Sequence, residues 1–205
     1  MVTDEIKQGL IQKYQDINVD HDWWDDVYER FGEELEKVGI ATNRGRQGFC
    51  IYFSGFHSQG DGACFEGRIS NWDLFFSSHP QEFGGDYFAY ATSYKSDVID
   101  AAHWRHGGSR YSHSHTLRFS IEVNSGYGFE ADEDGHPVHL EDAVKLSLHD
   151  VFDHVGFEDA IQGIVHGYCN DLYTQLSEEH EYLTSDEAVW ETVVANELHI
   201  EDSDE

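Results

Sequence analysis

Forty-one carboxylates stand against twelve lysines and arginines in this chain of 205 residues, a formal net charge of −29. That imbalance restricts what the chain can fold into. Self-repulsion at this level destabilises a compact state, so folding needs ample apolar material and a way to keep the acids outside. The material is present: hydrophobic residues make up 39% of the chain, with 13 Phe, 11 Tyr and 5 Trp. Aromatic side chains bury large areas, which excludes a disordered acidic tail. The length and the near-absence of proline predict one domain over residues 1–205.

The charge is unevenly spread. Residues 1–37 carry 11 acids and 4 bases, and residues 38–118 carry 7 of each. Residues 119–205 carry 23 acids and one base, Lys145. The neutral centre is therefore flanked by two acidic ends. Phosphate groups of DNA, RNA or an anionic membrane would be repelled, so direct binding to them is not expected, and a basic protein is the physical complement.

The hydrophobic period assigns the acidic ends to helices. Trp24, Val27, Tyr28, Phe31 and Leu35 form a 3.6-residue stripe within the second of two helices over residues 1–37, starting near Asp20–Asp22. A helical part over 138–200 carries Val144, Leu148, Val151, Phe152 and Val155, then Ile161, Ile164, Val165, Tyr168, Leu172 and Leu176. The last helix reads as a capping box, Thr184 to Glu187, with Leu183 and Ala188 as a hydrophobic staple.

Between them lies a sheet-containing centre, 38–129. Phe49, Ile51 and Phe53 alternate with Cys50, Tyr52 and Ser54, and Ala63–Ile69 reads as the returning strand. The clearest strand is 110–124, with Leu117, Phe119, Ile121 and Val123 on one side. Residues 71–106 read as helical or irregular, and Asp134-Gly135 as a hairpin turn. The expected fold class is α+β: a small, mainly antiparallel sheet from residues 38–69 and 109–129, with N- and C-terminal helices packed on it.

Helices with an apolar stripe turned inward fix their carboxylates on an outer face. Such a surface can compete for basic clefts that bind nucleic acid, which gives the partner-binding candidates Asp22, Asp25, Asp26, Glu29, Glu33, Asp132, Glu133, Asp134, Asp150, Asp153, Glu158 and Asp159. The plainer alternative is an acid-rich surface that serves solvation alone.

Chemistry-bearing motifs are sparse. The run SGFHSQGDGACFEG (54–67) holds Gly55, Gly60 and Gly62 around Asp61. A well-made turn is the favoured reading, with Asp61 hydrogen-bonding free N–H groups. The functional alternative is a binding or metal loop using Ser58, Gln59 and Asp61. His113-Ser114-His115 reads as part of the long strand, with both imidazoles on its core-side parity and His103 and His106 nearby in sequence. No zinc-ligand spacing or nucleophile motif accompanies them, so no cofactor, metal or catalytic residue is expected. A metal-dependent enzyme using this histidine-rich centre is the rival reading. Cys50, Cys64 and Cys169 form no CxxC pair and read as reduced thiols of a cytosolic protein. No signal-peptide pattern opens the chain, and no apolar run is long enough to span a bilayer.

Two stretches carry a resemblance. NVDHDWWDDVYERF (18–31) followed by IYFSGFHSQGDGACFEG (51–67), with its SGFxSQGDGxxF pattern, and EYLTSDEAVWETVVANELHIEDSDE (181–205) resemble a family of small tailed-phage and prophage proteins. Some members are loosely labelled antitoxins, and the family supplies no catalytic residues to carry over. The resemblance implies a phage-encoded protein working in the cytoplasm of a bacterial host. Phages encode small acidic proteins that occupy the DNA-binding surfaces of host enzymes. With the charge map, it implies an acidic inhibitor that masks the basic cleft of a host nucleic-acid-binding protein. An antitoxin-like binder of a toxin protein is the alternative, and neither reading fixes an oligomeric state.

Overall fold

The computed structural model describes residues 3–46, 48–83, 99–123, 128–131, 144–147 and 156–198. Its architecture is α+β, with a four-stranded antiparallel sheet and helices from both ends of the chain. Contacts group the chain into two compact units, Met1–Glu29 with Thr174–Glu205, and Arg30–Tyr173.

The first unit is helical. Helix α1 (Asp4–Lys13) starts at Thr3, whose hydroxyl accepts from the Ile6 N–H, and Asp4, Glu5 and Lys13 complement its dipole. Its buried Leu10 and Ile11 pack with Val189 and Val193, and Tyr14, Ile17, Trp190 and Leu198 close the cluster. Asn18 ties the unit further: its amide donates to the Leu183 carbonyl at 2.9 Å, and its Oδ1 accepts from the Thr192 hydroxyl at 2.7 Å.

Val189 and Val193 lie on the last helix, α5 (Asp186–Ala195). Its N-cap is Ser185, which accepts from the Ala188 N–H. The N-cap is therefore one residue later than expected, and with Ala188 at N3 the Thr184–Glu187 capping box does not form. Thr184 instead donates its hydroxyl to the His180 carbonyl at 2.8 Å, closing the preceding helix.

Helix α2 (Asp25–Lys37) begins a few residues later than its acidic start signal suggests, after turns over 14–24. Its stripe behaves as the period predicts: Val27, Tyr28, Phe31 and Leu35 are buried. Helix α4 (Phe157–Leu183) buries Ile161, Ile164, Val165, Cys169, Leu172 and Leu176, with Tyr168 half-buried.

In the second unit the sheet order is β1 (Ile40–Thr42), β6 (Gly67–Ile69), β7 (Ile99–His106), β8 (Leu117–Val123). Strand β7 is a correction. Residues 99–106 are extended and lie between β6 and β8, where sequence reading expected helix or irregular chain. The alternation is present but weak, since Ala102 and Trp104 are buried while His103 and Arg105 point away.

The strand expected over 110–124 is shorter. It starts at Leu117, and Ser114–Thr116 form a 3-10 turn. Val144–Ser147 is also a correction, forming strand β10 against β9 (Gly128–Ala131) instead of a helix. The rest of that expected stripe, Leu148 to Val155, lies outside the described residues, as does the Asp134-Gly135 turn.

The returning strand 63–69 divides at Glu66. Its first half, β5 (Ala63–Phe65), pairs with β4 (Ile51–Phe53), and its second half is β6, paired with β1. Glu66 bridges the change of partner, accepting from Asn43 N and donating to the Cys50 carbonyl, each at 2.8 Å. A two-residue ladder, β2 (Arg44–Gly45) with β3 (Gly48–Phe49), completes this region.

The core here is aromatic. Phe65 stands edge-on to Phe31 at 5.3 Å and to Trp104 at 5.6 Å. Helix α3 (Trp72–Ser78), capped by Asn71, buries Phe75 and Phe76, which meet Phe83 and Phe157. Phe75, Phe76 and Phe83 are thus core material, with Trp72 half-buried beside them.

Candidate functional site

The loop after β4 is built around one carboxylate. Asp61 Oδ2 accepts from the backbone N–H of His57 at 2.8 Å and of Ser58 at 2.5 Å. The Asp61 N–H donates back to the Ser58 carbonyl, and Ser54 N–H to the Gly62 carbonyl. Gly60 sits at φ +95°, with the Tyr111 ring 3.0 Å from where a Cβ would stand. Asp61 is therefore occupied in closing the turn, whereas Ser58 and Gln59 are exposed. Phe56 anchors the loop against Phe53 and Tyr173.

The histidines do not line up as one strand. His113 precedes the 3-10 turn and His115 lies within it, so the expected shared strand parity is lost. Their rings stand 5.8 Å apart, and His115 meets His166 of α4 at 5.1 Å. Burial lowers the His166 pKa, and the neighbouring His115 adds to the effect. Among the described residues no group of three or more His, Cys, Asp and Glu side chains is placed to hold a metal ion.

The thiols are all free and poorly suited to nucleophilic work. Burial pushes Cys64 up to about 11, opposed by a contact with Thr116 Oγ1 and aided by Glu66. Burial likewise raises Cys169 and, with Glu66, Cys50. Tyr52 is pushed up to about 12 by burial and by Glu66, whose Oε1 accepts from the Tyr52 hydroxyl at 3.3 Å and from His106 N–H at 3.2 Å.

Cationic side chains collect on the solvent face of the sheet. The ladder puts Arg68 opposite His103, and Arg105 opposite Arg118, and all four project from the same face. The three arginines are exposed and have no ion-pair partner among the described residues. Beside the connection that joins β7 to β8, a cavity of about 570 Å³ is lined by His103, Arg105, His106 and Gly107-Gly108 from one strand end. Arg118, Phe119 and Ser120 line it from the other. The sequence pointed to His103 and His106 but not to Arg105 and Arg118, because pairing those two requires the register across the 107–116 connection. The A-A-H-W-R-H alternation of 101–106 was the available signal.

The acidic candidates fall into two groups. Asp22, Asp25, Asp26, Glu29, Glu33, Glu158 and Asp159 are exposed, whereas Asp132, Glu133, Asp134, Asp150 and Asp153 lie outside the described residues. Helix α2 alone carries six acids, Asp25, Asp26, Glu29, Glu33, Glu34 and Glu36, against Arg30 and Lys37. At a rise of ~1.5 Å per residue, those acids recur about every ~3 Å of axis. One strand of duplex DNA places a phosphate every ~3.4 Å.

Residues 23–186 match the model of a family described as a domain of unknown function, DUF8835. The chain belongs to this family. The DUF8835 segment takes in α2, the sheet, the Asp61 loop and α4, and it ends at the first residue of α5. The arginine-lined cavity and every acidic candidate except Asp22 thus fall inside it. No curated protein and no solved structure matches the chain. Among the described residues no helix is long and apolar enough to cross a membrane.

Proposed function

We propose that this DUF8835 protein is a phage-encoded acidic binding protein that occupies the basic cleft of a host nucleic-acid-binding protein in the bacterial cytoplasm. The observation that carries the reading is helix α2. Its Val27, Phe31 and Leu35 are all but fully buried, while Asp25, Asp26, Glu29 and Glu33 are exposed. A buried stripe fixes the helix rotation, so the carboxylates form a template with little ordering entropy left to lose on binding. Along the axis these four are separated by about 1.5, 4.5 and 6 Å, an average of ~4 Å against ~3.4 Å between phosphates of one strand.

Binding of this kind is steered by charge and screened by salt. The test is capture of host-lysate proteins on the immobilised protein at low and high salt, read by mass spectrometry. A nucleic-acid-binding protein retained at about 50 mM and released at about 500 mM salt is the expected result. Retention only of acidic or salt-insensitive partners would refute it.

A further inference from the structure

We propose that the face of the β7–β8 hairpin beside its 107–116 connection is a binding site for a small phosphomonoester. This does not depend on the acidic-face reading, and it uses residues of opposite charge.

The first support is the arginine pair. Arg105 and Arg118 are directly opposite in the ladder, and like charges in that position destabilise a sheet. Among the described residues neither is neutralised by a carboxylate. Two guanidiniums side by side present forked donors that match the oxygens of a phosphate, which carries nearly two negative charges at neutral pH.

The second support is the cavity they border. Its volume of about 570 Å³ lies in the range of pockets that enclose a small organic ligand. Gly107 makes room for the arginine: a Cβ there would stand 3.0 Å from Arg118 Nε and 2.8 Å from the Thr116 carbonyl oxygen. A bare phosphate fills only part of such a space. Half-buried His103 and Ser120, ladder partners on the arginine face, line the rest of that space for the organic remainder.

The third support is electrostatic. The net charge of −29 opposes a long polyanion, whose charges extend over the acidic surface. A small dianion answers mainly to charges within one Debye length, ~8 Å at physiological salt, where Arg105 and Arg118 outnumber Glu66, whose carboxylate accepts from the His106 N–H. The chemistry therefore favours a single phosphate group on a compact molecule over an oligonucleotide.

The experiment is calorimetric titration of the full chain with phenyl phosphate, inorganic phosphate and benzyl alcohol. Phenyl phosphate is expected to bind at least about tenfold more tightly than inorganic phosphate, with no binding of the alcohol. Arg118→Gln and Arg105→Gln should each weaken phenyl phosphate by about tenfold or more, the loss of a charge-assisted pair. Arg118→Lys, which keeps the charge but not the fork, should also weaken binding, by less than Arg118→Gln. Unaltered affinity in either arginine variant, or no heat from phenyl phosphate at millimolar concentration, overturns the site. Equal affinity for inorganic and phenyl phosphate overturns its assignment to a phosphomonoester.

Discussion

Arg105 of β7 and Arg118 of β8 are cross-strand partners on the exposed face of the sheet. Their juxtaposition sets a local repulsion against the protein's global excess of negative charge, and distance decides which wins. Paired side chains in a ladder start from Cβ atoms ~5 Å apart, whereas charges beyond a Debye length of ~8 Å are largely screened. Arg118→Gln is therefore expected to stabilise the fold by a few tenths to about 1 kcal/mol at physiological salt. Denaturant unfolding checks this, and the gain should shrink at high salt.

Asp61 holds its loop by accepting from the His57 and Ser58 N–H groups. Asp61→Ala leaves both donors without their partner and is expected to destabilise by about 1–3 kcal/mol. Asp61→Asn keeps an acceptor oxygen and should lose less. If Asp61→Ala were neutral in chemical denaturation, the carboxylate would not be the loop's organiser.

The start of α5 distinguishes two adjacent hydroxyls. Ser185 caps the helix, and Thr184 bonds back to His180. Ser185→Ala should cost about 1 kcal/mol, the usual loss of an N-cap. Thr184→Ala should cost clearly less, and the reverse order would restore the Thr184–Glu187 capping box.

Alkaline pH should weaken the fold. Cys64 and Tyr52 are raised to about 11 and about 12 from ordinary values of 9.0 and 10.0. The unfolded chain therefore loses these protons first. Stability from this source is complete below pH 9 and declines as pH rises through 9 to about 12. Thermal melts across that window should show the fall, and Cys64→Ala should reduce it. Thiol titration of the native protein at neutral pH should find Cys64 and Cys169, both buried, unreactive until denaturant is added.

The parts of the fold legible in the sequence are those with a long, one-sided apolar period. The stripes of α2 and α4 are buried much as their spacing requires, since Val27, Phe31, Leu35, Ile161, Val165 and Leu172 are all but inaccessible. Strand β7 was not legible because Ala101 and Ala102 are weak strand formers and its outward positions hold His103 and Arg105. Residues 144–147 hold only two apolar positions, Val144 and Leu146, too few to separate a period of two from one of 3.6. The start of α5 was displaced because Thr184 and Ser185 are both N-cap residue types, and the pull of Glu187 three residues after Thr184 favoured the wrong one over the intrinsically better Ser185.

The candidate sites divide the same way. The exposure of the α2 carboxylates follows from a local period. The Arg105–Arg118 pairing depends on where a ten-residue connection returns the chain, from Gly107 to Thr116. The alternation of 101–106 signals the strand, but its partner and register are tertiary facts.

The acidic-template account stands on whether the α2 carboxylates act as a group. The direct measurement is the affinity of a captured basic partner for the native protein and for Asp25→Asn/Asp26→Asn/Glu29→Gln/Glu33→Gln, each followed as salt is raised. The account predicts a steep fall of affinity with salt for the native protein, and a weaker, much flatter dependence for the variant. Equal affinities with the same salt dependence in both would contradict it.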